Sequence, residues 1–229
     1  MKNLLIYLNP NKFDEESKKL IEIQIDNSLE FWSLQDTLLV TNFPYEYHGV
    51  KALVVESGLF CEINKKTSKI NAIIYLLENN ILNDLTWFHD LDAFQIYPIE
   101  VKLEQDIGFT DYGYSRKWNT GSIFFKPSSL DVFSWIKGSV YEHNTDEERA
   151  LRILTRSNFN NINSRYKRMN ITYNLGMRHL EYNLSIADKP IKVVHFHPNR
   201  SGLTDMFKPI LTGRLNELIN EKFTDLPKS

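Results

Sequence analysis

The sequence predicts an α/β protein: a Rossmann-like, mainly parallel central sheet flanked by helices, in a single domain over residues 1–229. Three observations predict it. Apolar runs of strand length alternate with longer segments whose apolar residues recur at helical spacing, in the order strand, helix, strand, strand, helix, strand. The 229 residues are 42% hydrophobic and 13% aromatic, which suits a globular chain with one sizeable core. No internal repeat, low-complexity tract or linker divides the chain.

Residues 3–8 form an apolar run closed by Asn9-Pro10-Asn11, a buried strand ending in a loop. Asp14 is placed to cap the next helix, whose apolar side is Leu20, Ile21, Ile23, Ile25, Leu29 and Trp32. Residues 37–41 are a second strand, broken at 42–44, and residues 50–55 a third. A helix over about 68–78 carries Ile70, Ile73, Ile74 and Leu77 and delivers the chain to a strand at Trp87-Phe88.

Beyond Phe94 the texture changes. Residues 106–116 are rich in Gly, Asp and Tyr, and Lys117-Trp118-Asn119-Thr120-Gly121 leads into the apolar strand Ser122-Ile123-Phe124-Phe125. A Gly at a strand entrance permits a bulge or a close approach to the backbone. Pro127-Ser128-Ser129 caps a helix to about residue 140. Asp146-Glu147-Glu148 opens another through 154, with acidic residues at its N-terminal end. Residues 158–163 read as a polar loop, and Arg165-Tyr166-Lys167-Arg168 as a cluster of positive charge. Residues 191–199 alternate as a strand that sets His195 and His197 on one face and stops at Pro198. Residues 206–223 read as a C-terminal helix with Leu211, Leu215, Leu218 and Ile219 inward.

Several classes are excluded. No run approaches the roughly 18 apolar residues of a membrane span, and the N-terminus runs into a strand with no small-residue cleavage site, so a cytosolic protein is expected. The single cysteine, Cys61, rules out an internal disulfide or a cysteine-rich zinc site and reads as a small buried hydrophobe. No glycine-rich dinucleotide fingerprint and no Walker-type phosphate loop is present. Charge is segregated: residues 149–229 hold 14 Lys and Arg against 6 Asp and Glu, whereas residues 1–148 hold 13 against 23. Either a polyanionic or phosphate-bearing ligand meets the C-terminal part, or these are solvated helix faces.

In open α/β sheets, ligands bind beyond the carboxyl ends of the strands. Two such ends are polar here, Asn9-Pro10-Asn11 and Asp90-Leu91-Asp92. Carboxylates two residues apart on an extended strand point to one side. They repel unless a cation or a shared proton lies between them, and a divalent metal is the common remedy. A turn or a helix cap is the ordinary alternative for such a triplet. His195 and His197 read either as metal ligands or as a hydrogen-bonded structural pair. With both Asp they would also suit a zinc hydrolase.

The ordered set Asp90-Leu91-Asp92, Asn119-Thr120-Gly121, the Tyr173-Asn174 pair and Val193-Val194-His195 resembles the GT-A nucleotide-sugar glycosyltransferases, closest to the glycogenin-like and retaining galactosyltransferase group. The resemblance covers roughly residues 3–200. It implies a donor-binding half over 1–100 and an acceptor-binding half with the C-terminal helix over 101–229. It further implies that Asp90 touches the donor ribose and the metal, that Asp92 binds the metal, and that His195 is a third ligand. Asn9, Lys69, Asn119 and Gly121 would line the nucleotide-sugar site. The implied cofactor is Mn2+ or Mg2+, the implied donor a UDP-sugar, and the acceptor a hydroxyl of a glycan or protein. The usual G-x-x-K-P-W is replaced by His197-Pro198-Asn199, which leaves the choice between His195 and His197 open. An inverting reaction would need a general base, for which Asp111, Asp146 and Glu147 are candidates. The compact size and the Ile, Asn and Lys bias also resemble phage-type enzymes that glycosylate hydroxymethylated DNA, which would act in the host cytoplasm. A third form of the resemblance is an inactive module that holds a sugar nucleotide without turnover.

Overall fold

The computed structural model describes residues 1–196 and 207–222. In chain order the strands are β1 (Lys2–Tyr7), β2 (Thr37–Thr41), β3 (Glu46–Tyr47), β4 (Val50–Lys51), β5 (Leu53–Val54), β6 (Thr86–His89), β7 (Ala93–Gln95), β8 (Ile107–Asp111), β9 (Trp118–Phe125), β10 (Tyr166–Arg168), β11 (Leu175–Gly176) and β12 (Val193–His195). The helices are α1 (Glu15–Phe31), α2 (Ser68–Glu78), α3 (Leu130–His143), α4 (Glu147–Ser157), α5 (Leu180–Ile186), α6 (Phe207–Leu211) and α7 (Leu215–Lys222).

Seven strands form the central sheet in the order β10-β8-β9-β6-β1-β2-β5, and β9 is antiparallel to both its neighbours while the other pairings are parallel. Both faces are covered, which is why β1 reads as an uninterrupted apolar run. Leu4 points to the face packed by α2, α3 and α4, among Ile70, Ile73 and Val132. Leu5 points to the opposite face and meets Ile21 and Ile25 of α1. Asp14 caps α1 as expected, accepting from the Ser17 backbone N–H at 2.6 Å.

A small second sheet, β11-β12-β7, has β12 antiparallel to β7 with His195 opposite Ala93. It packs with α6 and α7 through Phe94, Val194, Phe196, Ile210 and Leu215. The pairing matters because β7 follows the two aspartates directly. It brings the late strand alongside them.

Local departures have local causes. Residues 50–55 are two strands: β4 closes a hairpin with β3 through His48 and Gly49, both at positive φ, and β5 moves to the edge of the central sheet. Residues 106–116 contain β8, hidden in the sequence because Gly108 and the Asp and Tyr around it mask its buried Ile107 and Phe109. The strand ending in His195 is three residues long. The C-terminal segment is two helices, α6 and α7, broken at Gly213 with φ +84. His197, and with it any second His on that strand, lies outside the described residues.

Candidate active site

β6 ends at His89, and Asp90 to Ala93 make a tight turn in which the Ala93 N–H donates to the Asp90 carbonyl at 3.0 Å. Asp90 and Asp92 therefore converge through a turn, not through the alternation of an extended strand. The start of β9 lies alongside, since Ser122 pairs with His89, and the Asp90 N–H donates to the Gly121 carbonyl at 2.9 Å. One ligand atom each from Asp90, Asp92 and His195 falls within 4.8 Å of the other two.

The orientation of His195 can be traced through a chain of donors. Thr110 donates its hydroxyl proton to the Asn119 carbonyl (3.1 Å) and accepts from Asn174 Nδ2 (2.7 Å). Asn174 thus presents its carbonyl oxygen to His195 Nδ1 at 2.8 Å, so Nδ1 carries a proton and donates it. In the neutral ring the lone pair is then on Nε2, 3.0 Å from Asp92 Oδ1. Two acceptors face each other there and need a positive charge between them. Burial alone would push the His195 pKa down, but the Asp92 carboxylate outweighs it and holds the ring above its ordinary value. A divalent cation answers the same need: two carboxylate oxygens and an imidazole nitrogen, with the far ring nitrogen hydrogen-bonded, suit such an ion.

Beneath this set sits Lys69, delivered by the first turn of α2. Its ammonium donates to Asp90 Oδ1 (3.0 Å) and the Thr120 carbonyl (3.1 Å) and lies 3.3 Å from Glu147 Oε1. An ammonium has three protons, and three protein oxygens take them. Burial disfavours the charged Lys69, yet Asp90 and Glu147 raise its pKa above the usual lysine value. Glu147 is buried too, which raises its pKa, but Lys69, its own backbone N–H and the Thr120 hydroxyl together outweigh this and keep it ionised. Lys69 and Glu147 therefore form a buried pair that fixes Asp90 and, through the Thr120 hydroxyl on Glu147 at 3.1 Å, the start of β9.

The remaining expected residues divide. Asn119 turns its side-chain oxygen onto the Gly121 N–H at 2.9 Å, shaping the strand beside Asp90. Asn9 accepts from the Asn11 N–H and donates to the Tyr7 hydroxyl, both at 3.0 Å, and its backbone is bonded in both directions to Asn42. It holds the loop after β1 in shape. Asp146 is the N-cap of α4, accepting from the Arg149 N–H at 2.7 Å, and Asp111 pairs with Arg168 and accepts from the Gly113 N–H at 2.8 Å. Glu148, one residue beyond the expected set, accepts from the Tyr112 hydroxyl (3.0 and 2.9 Å to its two oxygens) and the Thr120 N–H (3.2 Å). Burial pushes its pKa up. Its position in the first turn of α4 was visible in the sequence; its contact with the start of β9 was not.

The basic cluster is largely neutralised within the protein. Arg165 forks onto Asp131 (2.8 and 3.0 Å), pairs with Asp106 and donates to the Ser128 carbonyl at 2.9 Å. Arg168 is paired with Asp111 and stacked 4.0 Å over Trp118.

Solved structures carry the same architecture. A galactosyltransferase, LgtC, in complex with donor and acceptor sugar analogues superposes with a TM-score of 0.62 at 12% identity over 97% of this chain and 100% of that one. The fold is the GT-A glycosyltransferase fold. The glycosyltransferase GlyE of Streptococcus pneumoniae TIGR4 matches at 0.62 and 11% identity over 97% of this chain, which spans 64% of GlyE. A glycosyltransferase involved in glycosylation of the major capsid of PBCV-1 matches at 0.57 and 15% identity, over 85% of this chain and 93% of that chain. No protein-family model and no curated protein matches the sequence. The Asp90–Asp92 turn follows the carboxyl end of β6 in the central sheet, and His195 is the last residue of β12 in the second sheet. No helix among the described residues is long and apolar enough to cross a membrane.

Proposed function

We propose that the chain is a metal-dependent glycosyltransferase that moves a sugar from a UDP-sugar to a hydroxyl of a glycan. The observation that carries this reading is the convergence of Asp90, Asp92 and His195 within 4.8 Å, with the His195 tautomer set by Asn174 so that Nε2 faces Asp92. Mn2+ is favoured over Mg2+ because one of the three donors is an imidazole. When bound, the cation supplies Lewis-acid stabilisation of the charge that develops on the leaving diphosphate. In the transfer, the bond from the anomeric carbon to the β-phosphate oxygen breaks, its electron pair leaves with UDP, and the acceptor oxygen forms the new bond as its proton passes to a carboxylate base. Lys69 and Glu147 hold Asp90 in place. Glu148, with its raised pKa and its bond to Tyr112, is better suited to meet a hydroxyl of the reacting sugars than Asp111 or Asp146, which are committed to an ion pair and a helix cap.

A DNA acceptor draws less support, because Arg165 and Arg168 are occupied by carboxylates. The hydrolase alternative depends on His197, outside the described residues. The test is a thermal-shift titration with UDP in the presence and absence of Mn2+, followed by UDP release from a panel of UDP-sugars. Metal-dependent stabilisation by UDP with sugar-dependent release supports the reading. Binding without release would leave an inactive module, and no metal-dependent binding would sink both.

A further inference from the structure

We propose, resting on the glycosyltransferase reading, that the acceptor is an anionic saccharide, held on a platform made by Tyr114, Arg178 and His179. The loop between β8 and β9 is pressed onto α5. Gly113 has φ +70, and a Cβ there would stand 2.2 Å from Ile171 Cδ1 and 2.5 Å from Asn183 Oδ1. Asn183 is fully buried and joins two segments: its oxygen accepts from the Tyr114 N–H at 3.1 Å, and its nitrogen donates to the carbonyls of Gly176 (3.1 Å) and Arg178 (2.9 Å). Both amide protons and the oxygen are spent on backbone. One buried side chain thus sets where the aromatic ring and the guanidinium stand.

The result is an ordered surface. The Tyr114 ring lies 4.5 Å from that of His179, and the Arg178 guanidinium carbon stands 5.4 Å from the Tyr114 ring centre. The platform adjoins the candidate site, because Tyr114 is 6.1 Å from Tyr112, whose hydroxyl is bonded to Glu148. Its charge is not cancelled locally. Arg178 is exposed, and no carboxylate of a described residue forms an ion pair with it, unlike Arg165 and Arg168. Arg116 and Lys117, exposed on the same loop, likewise have no carboxylate partner among the described residues. An aromatic face takes a sugar ring, and a guanidinium fork takes a carboxylate or a phosphate in two parallel hydrogen bonds. A neutral glycan would leave the fork unmatched.

The experiment compares three methyl glucosides that differ only at C6: glucoside, glucuronide and glucoside 6-phosphate. Each is titrated into the full chain with UDP and Mn2+ present and followed by ligand-observed NMR. The expected result is at least fivefold tighter binding of one or both anionic sugars, with the two arms telling carboxylate from phosphate. Arg178→Gln should erase the preference, and Lys18→Gln, an exposed change on α1, should keep it. Equal binding of all three, no binding of any, or a preference that survives Arg178→Gln overturns the proposal. So does an oligonucleotide that binds through Arg178 while the sugars show no preference, which would move the surface to nucleic acid. The UDP and Mn2+ thermal shift, run on the same samples, separates the two readings: a shift without anion preference removes the platform alone, and no shift removes the glycosyltransferase assignment itself.

Discussion

A Cβ added to Gly121 would stand 2.2 Å from Cε1 of His195 and 2.7 Å from its Nδ1. The glycine in Asn119-Thr120-Gly121 is therefore the space in which the imidazole lies. Both neighbours are buried, so the ring cannot swing clear into solvent. Gly121→Ala should cost about 1–3 kcal/mol of stability through overpacking and weaken Mn2+ binding by at least about tenfold. Urea denaturation and calorimetric titration read the two effects separately. Unchanged metal affinity would remove His195 from the ligand set.

Asn174 tests the tautomer directly. Asn174→Ala removes the acceptor that holds the Nδ1 proton, and an outer hydrogen bond of this kind is typically worth about 10- to 100-fold in metal affinity. The same loss should appear in Mn2+ titration with little change in the circular dichroism of the folded chain. Wild-type affinity in this variant would mean that His195 is oriented by something else.

Asp92→Asn keeps the shape of the side chain and removes the charge facing His195 Nε2. Transfer and metal-dependent UDP binding should be lost while the chain stays folded, and Asp90→Asn should behave likewise. If either aspartate were only a turn residue, its replacement would change stability by about 1 kcal/mol and leave UDP binding alone. Isothermal titration of UDP with and without Mn2+ decides between the two outcomes.

Glu148 carries a pH signature of known sign. Burial holds its pKa above the ordinary 4.5, so the stability it contributes is fully present below that value and is lost as pH rises through the folded-state pKa. Glu148→Gln removes this loss. Relative to wild type, the variant should gain stability as pH rises above the ordinary 4.5, while transfer falls by about 10²-fold or more if the carboxylate serves as acid or base. A stability difference that does not vary with pH would contradict the raised pKa.

Arg165 should prove structural. Its fork on Asp131 and its pairing with Asp106 tie the end of α4's loop and β10 to the start of α3, and Arg165→Ala should cost about 1–3 kcal/mol with no change in donor binding. Acidification should act on the same bolt. Burial raises the Asp106 pKa, but hydrogen bonds from Ser128 and Arg165 outweigh it and hold it below its ordinary 3.8, so its contribution is lost as pH falls through that lowered value. A variant as stable as wild type in urea would show the fork to be incidental.

The parts of this protein that were legible in the sequence are those written in adjacent residues. β1, α1 with its Asp14 cap, α2 and the pair of carboxylates just beyond β6 follow from apolar period and local polarity, whereas Asp90 and Asp92 converge through a turn and not through the extended alternation that their spacing predicts. Tertiary pairings were hidden. Nothing in the local pattern places Asn174 beside Thr110, 64 residues away, or pairs Glu147 of α4 with Lys69 of α2 on one face of the sheet. The positive cluster misled for the same reason: Arg165 looked free because its partners Asp106 and Asp131 are 59 and 34 residues distant. Apolar spacing continues across Gly213 and so predicts one C-terminal helix, which the left-handed φ of that glycine breaks in two.

The pairing of β12 with β7 has a consequence for how the chain is made. Asp92 and His195 are 103 residues apart, so a nascent chain that has not yet emitted β12 possesses the aspartates without their imidazole. A cation held between them fastens a loop of about a hundred residues, and the unfolded chain has no such fastening. Each tenfold rise in free cation above its dissociation constant then adds about 1.4 kcal/mol to the native state alone. The ion would act as a late clasp, closing only once β12 has been made and slowing the chain's unravelling once closed.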